Sequence, residues 1–459
     1  MSFYGAARRW FEDTPAAPAR PSAESLRGES ALRADSERIL RAAIDGVDPE
    51  RCTARALASH RRAIPLEGRV WVAGFGRAAA AMARGAHSVL QDRVEGGVLI
   101  VPQGTHAYVS PRYDIFRGGY PVPDEAGVAG ARAIRQMARE AEESDVLLCL
   151  VSGGGSALLT LPPDGMPLSD VQTVTRMLFG CGVRPDELSC VRKHLDLLKG
   201  GQLAREAAPA RVFAFVLSDL PGDPLDVIAS GPLAPDPSRF ADAMALLKRH
   251  RVHAELPLAA RGWLDRGASG EIPDTPDRGD PLFLRTTSVV VGNGEQAARA
   301  ACEAAEHLGY EAQLLSATLE GPGPEAGSFL AETARVLAAS REGRERPLCV
   351  VAAGARGRIG APDGRNQALA LSAAWGIAGL ESTLVASMAT DGVDDPSGAA
   401  GAIVTGSTVS RAARAGFDLA TALERGEAAK VLGELEDRIE SGPTETHVGD
   451  VQVLLLGEV

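Results

Sequence analysis

The sequence predicts an α/β protein of two domains. Short Val/Ile/Leu runs recur along the chain with longer helical patterns between them, the alternation expected of mainly parallel sheets. At 459 residues the chain is also long enough for more than one core. The strand candidates begin with "RVWVAG" at 69, "GVLIVP" at 97, "DVLLCLV" at 145 and "RVFAFVL" at 211. They continue with "TSVVVG" at 287, "AQLLS" at 312, "PLCVVAAG" at 347 and "STLVASM" at 382. Continuous apolar character suits strands covered on both faces.

Residues 1–30, rich in Pro, Ala, Ser and charge, read as a flexible leader, and a helical pattern begins near residue 31. Between strands, Val128, Ala131, Ile134, Ala138 and Ala141 form one apolar stripe over 125–143, a surface helix that Asp124 can cap. The polar, Pro/Gly/Asp-rich run at 266–281 reads as a linker between a domain at 31–265 and another at 282–459.

Forty-eight basic and 60 acidic residues leave a formal charge of −12, which disfavours nucleic acid and anionic membrane as partners. No apolar stretch approaches the roughly 20 residues of a membrane span, and the start lacks a secretory pattern, so a cytoplasmic protein is expected. The six cysteines show no paired metal-ligand spacing.

Ligands of open α/β sheets sit beyond the carboxyl ends of strands, so the loops after the apolar runs matter most. Gly74, Gly76 and Ala79 match G-x-G-x-x-A, but no acidic residue follows the next strand to hold a ribose, so tight packing is favoured over NAD binding. Arg77 stands near the start of that helix, where it can grip phosphate or carboxylate. Ser152-Gly153-Gly154-Gly155-Ser156 can turn the chain or converge amides on an anion. Arg192, Lys193, His194 and Lys199 cluster in a chain with only four lysines. Asp219, Asp223, Asp226, Ser230, Gly231 and Asp236 follow another strand, as a hard-cation site or as turn chemistry. Further on, Gly364-Arg365-Asn366-Gln367 opens a helix and Asp391, Asp394 and Asp395 form an acidic loop, a pairing that suits a polyphosphate with metal or ordinary salt bridging.

Taken in order, "GFGRAAAAMA", "GGYPVPDE", "SGGGSALL", "VRKHLDLLKGG", "SDLPGDPLDVIASGP", "GRNQALAL", "ATDGVDDPSGAAGAIV" and "SGPTETHVGDVQV" resemble the MOFRL-type glycerate 2-kinase family, some members of which carry the label hydroxypyruvate reductase. The resemblance implies a Rossmann-like three-layer N-terminal domain, a smaller α/β C-terminal domain and an active site in the cleft between them. It implies transfer of the ATP γ-phosphoryl group, with Mg²⁺, to a hydroxyl of glycerate or a related hydroxy acid. On that resemblance Ser152 to Ser156 and Arg192 would hold substrate, and Lys193, Arg77, Asp219 and Asp391 would be catalytic. Gly364, Arg365, Asn366, Ser230 and Gly231 would bind ATP, and Asp219, Asp223 and Asp391 would meet the metal. A homodimer is left open.

The chain departs from the family's usual pattern at Arg77, where lysine is usual, and at Tyr120, Ala355, Ala368 and Asp395. Three outcomes stay open: a kinase with an altered substrate, a glycerate kinase that tolerates the changes, and a ligand-binding homologue without turnover. A nicotinamide-linked reductase is a more distant alternative.

Overall fold

In the computed structural model, residues 23–62, 64, 68–105, 107–340, 346–354, 364–396 and 398–457 are described. They divide into two compact units, each built on a six-stranded sheet.

The first sheet comprises β1 (Val70–Phe75), β2 (Val94–Pro102), β3 (Tyr113–Gly118), β4 (Val146–Ser152), β5 (Arg211–Leu217) and β6 (Thr286–Gly292). All are parallel, in the order β3-β2-β1-β4-β5-β6. Four of the expected runs lie at β1, β2, β4 and β5, and β4 is buried at all seven positions. β3, "YDIFRG", was not expected: its polar residues at a sheet edge give no continuous apolar run. The order is that of doubly wound nucleotide-binding sheets, and the strand order reverses between β1 and β4. Phe75 pairs with Val151, so the loops leaving β1 and β4 emerge side by side.

The second sheet runs β11-β10-β9-β12-β8-β7, from β7 (Glu311–Ser316), β8 (Leu348–Ala353), β9 (Thr383–Ala389), β10 (Gly401–Thr405), β11 (Arg438–Ile439) and β12 (Asp450–Leu456). It is mixed rather than mainly parallel, because β12 enters antiparallel to both β8 and β9. The apolar helix Arg365–Gly376, with Leu369, Ala370, Ala373 and Ala374 fully buried, anchors that unit's core.

Three expected boundaries shift. Residues 1–22 lie outside the described residues, but the helix Ala23–Gly46 starts within the supposed leader and belongs to the second unit. Arg33 pairs with Asp437 at 2.5 Å and Tyr310 donates to Asp35 at 2.9 Å, which fixes that helix there. Thr286–Gly292, expected in the C-terminal domain, is the edge strand of the first sheet. The segment 266–281 packs into the first unit: Thr275 donates to Asp236 at 2.9 Å, and Asp274 accepts the Phe240 N–H at 2.9 Å.

Candidate active site

At the reversal point the two loops are stitched together. The Arg77 N–H donates to Gly153 O at 2.9 Å, and the Ala78 N–H to the buried Ser152 Oγ at 3.0 Å. Gly76, at φ +128°, is required by this approach, since a Cβ there would lie 2.2 Å from Ser152 Oγ. The family-like glycine pattern after β1 therefore serves close packing, as expected.

Gly153 has a different reason. A Cβ on it would sit 2.2 Å from His447 Cδ2 and 2.6 Å from Asp219 Oδ2, so only hydrogen fits beneath that pair. His447 Nε2 stands 3.3 Å from Asp219 Oδ2. Beyond Gly153 the chain enters the short helix Gly155–Leu158, and the Gly154 and Gly155 amides find no backbone acceptor among the described residues. Arg77 lies over the Tyr120 ring at 5.4 Å, beside Gly154. Asp124 caps the helix Glu125–Glu140 by accepting the Gly127 N–H at 2.9 Å.

The basic cluster separates into distinct environments. It lies on the helix Pro185–Lys193 and the turn beyond it; Pro185 opens the helix and the Glu187 carboxylate accepts the Arg184 N–H at 3.2 Å. Lys193, given a catalytic role by the resemblance, is buried and donates to Asp236 at 3.0 Å, with Asp226 at 3.5 Å. Burial pushes the Asp236 carboxyl up, but the Lys193 charge and the Ser238 hydrogen bonds outweigh it and hold it below the usual range. Lys199 is buried against Asp196 at 2.6 Å, and burial lowers its pKa. His194 is bonded to Cys190 O at 2.8 Å and packs edge-on against Phe240.

Arg192 is the exception. Its guanidinium lies over Phe179 at 5.6 Å, beside Ser156, Thr160, Asp196 and Lys199, and makes no hydrogen bond or ion pair among the described residues. One terminal nitrogen is buried without a partner, and burial pushes the group down to about 10. A desolvated guanidinium with an unused donor favours an anion.

The loop after β5 holds the other candidates. Asp223, at φ +52°, accepts from Asn293 at 2.7 Å. Ala229, Ser230 and Gly231 all have positive φ, a turn held by Gly200 and Gly201 donating to Ser230 O and Gly231 O at 2.9 and 2.7 Å. Ser230 is fully buried and donates to Ser156 Oγ at 2.9 Å. Its hydroxyl thus supports the β4 loop, a packing reason for a residue expected to touch ATP.

In the second unit, the start of the helix Arg365–Gly376 is occupied by the chain itself. The Asp394 carboxylate accepts the Asn366 N–H, the Asn366 side-chain amide and the Gln367 N–H, each at 3.0 Å. Burial, reinforced by the charge of Asp450, raises this carboxyl to about 6 against the pull of those donors. Arg365 grips Asp450 with two nitrogens, and Asp450's charge raises its already high pKa further. Asp391 is buried and accepts the Val393 N–H at 3.1 Å. Of the groups expected to meet ATP, the Arg365 guanidinium and the Asn366 amides are therefore engaged internally, while Gly364 stands just before the helix and its carbonyl accepts the Ala368 N–H at 2.9 Å. Ala368 lies in the first turn of this helix, and Ala355 falls outside the described residues.

Among the described residues no three His, Cys, Asp or Glu side chains converge to hold a metal ion. Asp219 and Asp223, on the loop after β5, belong to the first unit, and Asp391 to the second. Also among those residues, no helix is long and apolar enough to cross a membrane. Sequence reasoning missed His447, which lay inside the quoted "SGPTETHVGDVQV" with no spacing signal linking it to Asp219.

Two family models match the chain: the domain of unknown function DUF4147 over residues 35–265 and the MOFRL family over 348–450. The chain is 31% identical over 431 residues to a glycerate 2-kinase of Pyrococcus horikoshii, covering 91% of this chain and 96% of that protein. It is 32% identical over 424 residues to a D-glycerate 2-kinase of Thermotoga maritima, covering 91% and 97%. A protein of Agrobacterium vitis bearing a hydroxypyruvate reductase name is 33% identical over 428 residues, covering 92% and 93%. The crystal structure of a Thermotoga maritima glycerate kinase superposes with a TM-score of 0.81 at 31% identity, over 93% of this chain and all of that one. Together with the loops at the β1/β4 reversal, these matches establish that the chain belongs to the glycerate kinase family that joins a DUF4147 domain to a MOFRL domain.

Proposed function

We propose that the chain phosphorylates a hydroxyl of glycerate or a closely related small hydroxy acid, with ATP as phosphoryl donor. The observation that carries this reading is Arg192: a half-buried side chain with one buried, unpartnered guanidinium nitrogen, beside a glycine loop at the sheet's reversal point. The names of the relatives supply the substrate class. The acid's carboxylate would sit against Arg192 and the Gly154 and Gly155 amides, with Arg77 adding charge from the β1 side.

Asp219 is the proton acceptor in this scheme. As the substrate hydroxyl loses its proton to Asp219, its oxygen bonds to the γ-phosphorus. The bond from that phosphorus to the β,γ-bridging oxygen breaks, and its electron pair leaves with ADP. The net products are ADP, the phosphorylated acid and one proton. Mg²⁺ usually binds through one or two carboxylates together with substrate phosphates. The half-buried Asp223 fits that modest protein contribution, whereas a resident three-ligand cage does not fit the described residues. Bound with ATP, Mg²⁺ supplies charge neutralisation at the phosphates. Lys193 and Ser230 act as supports: the first holds Asp236, the second Ser156.

The test is incubation of the protein with ATP, Mg²⁺ and a panel of hydroxy acids including D-glycerate, followed by mass spectrometry. ADP and a phosphorylated acid in equal amounts are expected. Binding of the acids without ATP consumption would replace the kinase reading with that of a ligand-binding homologue.

A further inference from the structure

Three residues from late in the chain, Glu445–His447, belong to the unit of the first sheet. Glu445 is held by Arg84 on the helix Ala79–Leu90, and Arg84 Nε also bonds Glu50 at 2.8 Å. Two residues on, His447 Nε2 meets Asp219 Oδ2 at 3.3 Å, with only 11% of the imidazole and 20% of the carboxylate exposed. Gly153 lies so close to both groups that any side chain there would displace them. The segment is thus fastened at both ends, and its histidine meets the carboxylate that follows β5.

We propose that His447 is a positioning residue for Asp219. An imidazole nitrogen facing a carboxylate oxygen donates its N–H, so His447 holds in place the carboxylate that is to accept the hydroxyl proton. The Glu445–Arg84 pair sets where the imidazole stands. This inference rests on Asp219 being the proton acceptor. It predicts a rate effect rather than a binding effect, because a less firmly held Asp219 carboxylate still leaves the acid's seat intact.

The test is steady-state kinetics of the full chain with ATP, Mg²⁺ and the best acid of the panel. His447→Ala should lower kcat about 10- to 100-fold with KM for the acid little changed, the loss typical of small misplacements. His447→Gln keeps an N–H donor and should recover part of that loss. Glu445→Ala should give a smaller loss of the same kind. In an Asp219→Asn background, His447→Ala should add nothing further. Retained kcat in His447→Ala, or the same factor lost with and without Asp219, would overturn the proposal in an active enzyme. A wild type that phosphorylates no acid would instead overturn the kinase reading itself, on the panel alone. Should His447→Ala fold poorly, the imidazole ¹⁵N shifts of His447 must still move on Asp219→Asn; unmoved shifts would overturn the pair.

Discussion

The loop after β4 and the start of the helix Arg365–Gly376 resemble each other as sequences: each has glycine before a helical turn and polar or cationic residues nearby. Backbone electrostatics make both anion seats. The structure separates them. At the second, Asp394, 28 residues beyond Asn366, already accepts the first amides of the helix. At the first, the Gly154 and Gly155 amides have no backbone acceptor among the described residues, and the nearby Arg192 has an unpartnered nitrogen. Arg192 and Lys193 repeat the contrast on one helix, Lys193 being met by Asp226 and Asp236. Favourable amides or a positive charge therefore mark a ligand site only where the chain does not supply its own anion.

The strongest way to break the contrast is Lys193→Ala. It strands the fully buried Asp236 carboxylate, so urea unfolding should show about 3–5 kcal/mol lost. A loss within error would mean that the pair contributes no more than a surface one. Gly153→Ala comes next: overpacking against His447 and Asp219 should cost about 1–3 kcal/mol and lower kcat. Unchanged stability and turnover would show that the loop can yield there.

Arg192→Met should behave oppositely to Lys193→Ala. Removing a half-buried charge with one buried, unpartnered nitrogen leaves stability unchanged or slightly higher, within about 1 kcal/mol, by the same unfolding experiment. The smallest effect is expected from Asp394→Asn, which keeps an acceptor at the helix start. Asp394 is raised to about 6 in the fold, above a free carboxyl near 4, so between those values the folded state binds more protons than the unfolded state. The stability contribution of the carboxyl is therefore full below about pH 4 and lost as pH rises through about 6. Wild-type stability measured relative to Asp394→Asn should fall across that window; a rise would reverse the assignment.

Much of the first sheet was legible because β1, β2, β4 and β5 are covered and write continuous apolar runs. Edge strand β3 carries Asp114 and Arg117, and β10 and β12 lay inside segments whose glycines, acids and turns drew a chemical reading instead. The run 266–281 has a linker's composition, yet its Thr275 and Asp274 pack on the 236–240 turn, a tertiary fact without local signal. Candidate residues were legible as types and positions, whereas their partners were not. The Asp394 contacts with Asn366 and Gln367 and the Asp219 contact with His447 join residues that only the fold brings together.

The central claim is that the seat beside Arg192 takes the substrate's anionic end. Calorimetric titration of D-glycerate into wild type and Arg192→Met tests it most directly. A charge-assisted contact of about 1.5–3 kcal/mol predicts a Kd raised roughly 10- to 100-fold in the variant. Equal affinity in the two proteins would contradict the account.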